Sequence, residues 1–281
     1  MDNKIGIMQG RLTKPMGRGI QFFPFDNWEN EFYIARSLGL DEIECIFDYE
    51  NYSENPLWTT EGQVKLAALI KSTGVAVNSI CFDYFMRRPF YKSNSREELV
   101  ALKLENKEVL IKIIKAAEIV GFNLIEIPLV DDSSIKGKDE EDLFREFLLD
   151  ILDSTKTNIK IGLETDFEAK KFLQYLTSFN HKNLFANYDS GNSSGLGYDL
   201  AEEVTVLNKH IANIHIKDRV FKGTTVELGT GSADFEGLFE AIKNINYKGS
   251  FILQAARSIE GRENENIRKQ IGFIKNLIRK L

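Results

Sequence analysis

Glu164, Asp189, His215 and Gln254 each close a short β-rich run: "IKIGLET" (159–165), "LFANYD" (184–189), "IANIHIK" (211–217) and "SFILQ" (250–254). Two carboxylates, an imidazole and an amide oxygen are a donor set for one divalent cation such as Mn²⁺, Mg²⁺, Co²⁺ or Zn²⁺. No cysteine accompanies them, which argues against a structural zinc site. His215 is one of three histidines in the chain and sits in "ANIHIKDR". There Ile211, Ile214 and Ile216 mark a buried strand, yet Lys217, Asp218 and Arg219 follow at once. Taken singly, each strand-end carboxylate reads equally well as a helix cap, His215 as a hydrogen-bonded core residue, and "HIKDR" as an ion-pair cluster. Their coincidence at the ends of four consecutive runs is what favours a metal site.

Other residues with chemistry to offer lie on the remaining runs. Glu44 falls in "EIECIF" (42–47) and Glu126 in "NLIEIPLV" (123–130), while Cys81 and Asp83 lie at the end of "VAVNSICF" (75–82) and just beyond it. Either glutamate could instead pair with a lysine inside the protein, and Cys81 reads most simply as a small buried residue. Arg11, after "KIGIMQ" (4–9), joins Lys217, Arg219 and Arg257 as a cation for an acidic ligand. The glycines of "VELGTGSADF" (226–235) would let backbone N–H groups approach a phosphate, or make only a turn with Ser232 or Asp234 capping the next helix.

The elements that must position these residues alternate along the whole chain. Eight β-like runs are interleaved with helical segments near 27–38, 60–73, 97–120, 139–156, 168–179, 199–209, 235–246 and 264–280. In "ENKEVLIKIIKAAEIVG", Val109, Ile113, Ala116, Ala117 and Val120 form one helical stripe. Gly39, Gly74 and Gly121 stand where left-handed helix caps belong. Eight such units predict an α/β (β/α)8 TIM barrel as one domain over residues 1–281, with its active site at the C-terminal ends of the strands. The competing doubly wound sheet lacks its Gly-rich phosphate fingerprint after the first strand.

Composition narrows the function. The 281 residues are 43% hydrophobic and 28% charged, with net charge −6 and scattered basic residues, which disfavours nucleic-acid and anionic-membrane partners. Two distant cysteines make no disulfide framework, and neither a signal peptide nor a membrane-spanning run is visible. A cytoplasmic protein is the expectation, and a homo-oligomer is compatible with it.

The stretches "GLETDF", "ANYDSGN", "NIHIKD", "LGTGSADF" and "FILQAAR" resemble the xylose isomerase-like TIM-barrel superfamily, and the resemblance covers essentially the whole chain. That superfamily includes sugar and sugar-phosphate isomerases and epimerases, inosose dehydratases and the endonuclease IV type of repair enzyme. In its ketose 3-epimerase branch, strands five to eight supply Glu, Asp, His and Glu to one metal. The resemblance places these roles on Glu164, Asp189, His215 and Gln254. It implies proton abstraction beside a carbonyl by Glu164, with a sugar or sugar phosphate as substrate. Gln254 departs from the pattern and cannot act as a carboxylate base, so Lys217 or Glu44 becomes the expected second acid/base. Asn192 stands where relatives often have His. The resemblance implies a metal-dependent sugar isomerase or epimerase, and a one-base aldose–ketose isomerisation survives the loss of the second glutamate; the alternatives are a keto-sugar or inosose-type dehydratase and a non-catalytic sugar-binding relative. The additional histidines of the endonuclease IV pattern have no match.

Overall fold

The computed structural model describes residues 3–15, 17 and 19–280. Eight parallel strands close into a barrel: β1 (Ile5–Met8), β2 (Glu42–Ile46), β3 (Ser79–Cys81), β4 (Leu124–Leu129), β5 (Lys160–Thr165), β6 (Leu184–Asp189), β7 (Ile211–Ile216) and, after a small hairpin of β8 (Asp218–Arg219) and β9 (Thr225–Val226), β10 (Phe251–Leu253). Strand order follows chain order and β10 pairs with β1, so no barrel edge is left unpaired.

Among the described residues ten α-helices connect and cover the strands: α1 (Trp28–Leu38), α2 (Thr60–Thr73), α3 (Tyr84–Arg87), α4 (Arg96–Val120), α5 (Lys138–Thr155), α6 (Ala169–Ser178), α7 (Ser190–Leu196), α8 (Leu200–Leu207), α9 (Phe235–Asn244) and α10 (Glu263–Lys280). Their apolar faces pack on the outward residues of the strands. In α4 the buried positions Val109, Leu110, Ile113, Ile114, Ala116 and Ala117 recur at helical spacing. Side-chain caps fix several helix starts: Thr59, Ser95, Asp199 and Asp234 each accept a backbone N–H of the first turn, a contribution of about 1 kcal/mol apiece. Gly39, Gly74 and Gly121 take the left-handed conformation at helix ends, with φ of 73°, 71° and 94°.

The eight expected β-like runs are the eight barrel strands, with boundary corrections. The third is three residues long rather than 75–82; Ala76 contributes only an isolated bridge to Glu42. Val75 and Val77 are buried at the helix–strand junction, so their hydrophobicity marks burial and not pairing. The helices α3 and α7 and the β8–β9 hairpin are additions at the barrel mouth. No helix among the described residues is long and apolar enough to cross a membrane.

Candidate active site

Strand alternation sends every second side chain into the barrel. Register alone places Glu44 beside Met8, Glu126 between Cys81 and Gly162, Glu164 beside Pro128, and His215 between Asp189 and Ile252. Toward the C-terminal ends the barrel interior is therefore polar. Glu44, Ser79, Glu126, Glu164, Asn187, Asp189, Asn213, His215 and Gln254 are all buried. Burying polar groups costs several kcal/mol each unless they satisfy one another, and here most of them do.

Glu44 organises the floor. Its Oε1 lies 2.7 Å from His215 Nε2, and its Oε2 accepts from Ser79 Oγ and from Asn213 Nδ2 at 2.7 Å. A carboxylate that accepts three times leaves His215 to donate through Nε2–H, so Nδ1 is the nitrogen that could give its lone pair to a cation in place of a proton. That Nδ1 faces Glu164 Oε2 at 3.5 Å and Asp189 Oδ2 at 3.9 Å. Asn213 also donates to Asn187 Oδ1 at 2.9 Å, which turns Asn187 Nδ2 toward Glu164 Oε2 at 2.9 Å. The structure thus brings together Glu164, Asp189 and His215: their ligating atoms all lie within 4.8 Å of one another. Glu44, Glu126 and His215 form a second such group.

Four carboxyl groups around one imidazole make a strongly cation-seeking pocket. Burial opposes a charged His215, but the charge of Glu44, hydrogen bonds to Glu164 and Glu44, and the charge of Glu126 push its pKa well above the usual imidazole range. Burial, followed by the charge of Glu164, pushes Glu126 well above the carboxylate range, which favours its neutral form. Neither Glu126 oxygen has a hydrogen-bond partner in bonding geometry, although the Cys81 thiol lies beside it. The Gln254 Oε1 is likewise buried without a donor. A Glu–Asp–His cluster with an oriented Nδ1, and an orphaned amide oxygen on a residue that lines the same cavity as Glu164, fit one divalent cation. Glu164, Asp189 and His215 would hold it, with Gln254 near.

Around this cluster, Asn192 ties three elements. Its Oδ1 accepts from Lys217 Nζ at 3.1 Å and Arg219 at 3.2 Å, and its Nδ2 donates to Glu164 Oε1. The same residue's backbone N–H is capped by Asp189 Oδ1 at 2.7 Å, starting α7. The Lys217 stem crosses Gly191 so closely that a Cβ there would meet Lys217 Cγ at 2.4 Å. Lys217 Nζ ends 3.4 Å from Asp189 Oδ2.

The cluster opens into a cavity of about 390 Å³ whose wall includes Glu164, Asn192, Lys217 and Gln254. A larger groove of about 670 Å³ lies between the β1–α1 segment and the start of α10 and contains none of the converging residues. Among the described residues the cavity wall carries six carboxyl groups (Asp48, Asp83, Glu126, Asp131, Asp132, Glu164) against two cations, Arg87 and Lys217.

Several expected ligand contacts have other partners. The "LGTGS" backbone is spent on Asp218, whose carboxylate accepts from the N–H groups of Gly229, Gly231 and Ala233 at 2.9–3.1 Å. Asp218 therefore supplies internally the anion expected from a ligand, and it holds this loop instead of orienting Lys217 or Arg219. Arg257 donates to the carbonyls of Gly10, Thr13 and Ile20 at 2.8–3.0 Å and stacks on Phe22. Arg11 donates to the carbonyls of Ile20 and Gln254, and burial beside Arg257 lowers its pKa to about 9. Arg219 also donates to Gly223 O at 3.0 Å. Asn187, Asn213 and Ser79 were missed by attention to strand ends; they lie two residues before Asp189, His215 and Cys81, where the period of two points inward again.

Comparisons with known proteins place the fold in a family. The chain is 27% identical over 238 residues to the L-ribulose-5-phosphate 3-epimerase UlaE of Salmonella paratyphi A, covering 81% of each. In fold it is similar to an L-ribulose 3-epimerase (TM-score 0.76, 17% identity, 99% and 95% of the two chains). It is also similar to the D-allulose 3-epimerase of Methylomonas sp. crystallised with D-allulose (TM-score 0.74, 17% identity, 98% and 96%). The profile of the xylose isomerase-like TIM barrel matches residues 32–277, and the chain belongs to that family.

Proposed function

We propose that the protein is a divalent-metal-dependent epimerase of a keto-sugar, acting by proton abstraction next to the carbonyl. The observation that carries this reading is the convergence of Glu164, Asp189 and His215, with Glu164 reaching the wall of a polar cavity. Names of relatives point the same way, since those above are 3-epimerases of ribulose, its 5-phosphate or allulose. A cation at the cluster would supply positive charge beside the substrate oxygens. Glu164, oriented by Asn187 and Asn192, takes the proton from the carbon next to the carbonyl. Return of a proton on the opposite face needs a group that holds one. On the cavity wall, Glu126, whose neutral form burial favours, and Lys217 are the groups we assign to this step. Epimerisation is favoured over binding alone because this chain retains both a base and a buried acid.

The wall supports an uncharged keto-sugar better than its phosphate. Among the described residues six carboxyl groups outnumber two cations there, and the glycine-loop N–H groups and Arg257 are engaged elsewhere. The test is proton exchange in heavy water with Mn²⁺ or Co²⁺, using ribulose, allulose and ribulose 5-phosphate. Deuterium incorporation beside the carbonyl and appearance of the 3-epimer are expected, with loss of both in Glu164→Gln. Release of water and a deoxy-diketone would favour the dehydratase instead. Binding without exchange for every ketose would leave a sugar-binding protein.

A further inference from the structure

Gln254 can present either end of its amide to the cluster, and only the oxygen can ligate a cation. Its main chain is fixed: its N–H donates to Ile216 O at 3.0 Å and its carbonyl accepts from Arg11 at 3.2 Å. Its side chain is set by two further residues. Asp83 is buried and accepts twice, through Oδ1 from the Cys81 thiol at 3.1 Å and through Oδ2 from Gln21 Nε2 at 2.7 Å. Turning Gln21 over would place its Oε1 against the Asp83 carboxylate, acceptor against acceptor, at that same distance. Gln21 Oε1 must therefore face the other way, where it receives Gln254 Nε2 at 2.9 Å. With its N–H₂ turned to Gln21, Gln254 leaves its Oε1 at the other end of the amide, buried with no donor, on a residue that lines the same cavity as Glu164.

We propose that Asp83 and Gln21 are positioning residues that hold the Gln254 amide with its oxygen turned toward the metal position, so that a neutral side chain completes the ligand set. The inference rests on the metal reading above. The chain of bonds explains how a barrel of this family can work with an amide where a carboxylate is expected. A carboxylate presents oxygen in either orientation and needs no such device. An amide needs one, and Gln21, from the β1–α1 segment that also lines the cavity, provides it. Loss of the device should therefore matter only while residue 254 is an amide.

The experiment is a double-mutant cycle read by metal binding alone. The full-length protein, freed of metal by a chelator, is titrated with Mn²⁺ at pH 8, above the value of about 6 to which burial lifts Asp83. Free Mn²⁺ is followed by its paramagnetic resonance signal. Gln21→Leu is expected to weaken Mn²⁺ binding about five- to tenfold in the native background, and Asp83→Asn to weaken it in the same direction. In the Gln254→Glu background, Gln21→Leu should change affinity less than about twofold, because either carboxylate oxygen serves. Equal losses in both backgrounds, or no loss in the native one, would overturn the positioning role while leaving the metal site standing. If the native protein binds no divalent cation, the metal reading itself fails and this inference goes with it.

Discussion

His215 and Glu44 meet inside the barrel at 2.7 Å, from β7 and β2, with neither side chain exposed. The contact decides which imidazole nitrogen faces the cavity. Glu44 lies 171 residues away in sequence, and from this position it holds the ring and favours a cation on it. Glu44→Gln should keep one acceptor for Nε2–H but set an N–H₂ against Asn213, which now donates to that carboxylate. Mn²⁺ affinity is expected to fall about 10–100-fold. In thermal melts with Mn²⁺ at a hundred times the native dissociation constant, the native protein should gain about 2.7 kcal/mol, and the variant much less. Unchanged affinity in the variant would remove Glu44 from the site.

The second prediction separates acid from base. Glu126→Gln should leave deuterium exchange by Glu164 within about tenfold of native, because the base and its two amide donors are untouched. Formation of the epimer should fall about a hundredfold, the size of a typical acid–base contribution. Nuclear magnetic resonance in heavy water reads both quantities in one sample. Native epimerisation rates in Glu126→Gln would hand the second proton to Lys217.

How much of this could be read beforehand depends on range. Closure of eight strands follows from regular alternation, a local property, and the strand-end set Glu164, Asp189 and His215 follows once closure is granted. Helix α7 escaped because "SGNSSGL" has poor helix propensity; it forms because Asp189 caps it and Lys217 packs over Gly191. The orienting amides Asn187 and Asn213 were within reach of strand alternation but not of a search limited to strand ends. The fates of Asp218 and Arg257 were not legible at all, since their partners are backbone groups whose positions no residue type announces.

Arg257 gives the third prediction. Its guanidinium joins the carbonyls of Gly10, Thr13 and Ile20 across the end of β10. Arg257→Ala removes three charge-assisted hydrogen bonds and the stacking on Phe22, and should cost about 2–4 kcal/mol of unfolding free energy. Urea denaturation measures it. The ratio of KM for ribulose to that for ribulose 5-phosphate should stay as in the native protein. A selective loss of the phosphate ester would return Arg257 to the ligand-binding role expected from its sequence position.

The last prediction concerns pH and a carboxyl outside the site. Glu203, on α8, is buried beneath the Tyr188 hydroxyl, which donates to it at 3.0 Å. Burial raises its pKa from 4.5 to about 7, the hydrogen bonds opposing only in part. The folded state therefore keeps a proton that the unfolded chain has already released. Its favourable contribution is complete below about pH 4.5, declines as pH rises through about 7, and is gone above. Glu31, raised to about 7, and Asp83, raised to about 6, act with the same sign, so the native protein should be more stable at pH 5 than at pH 8. Glu203→Gln isolates one share. A neutral amide still accepts from Tyr188 and does not titrate, so the variant should gain on the native protein by about 2 kcal/mol between pH 5 and pH 8. Urea midpoints at the two pH values supply the difference. If the gap between variant and native is the same at both, Glu203 is ionised in the fold at neutral pH and the cost of its burial is met by Tyr188 and the start of α8.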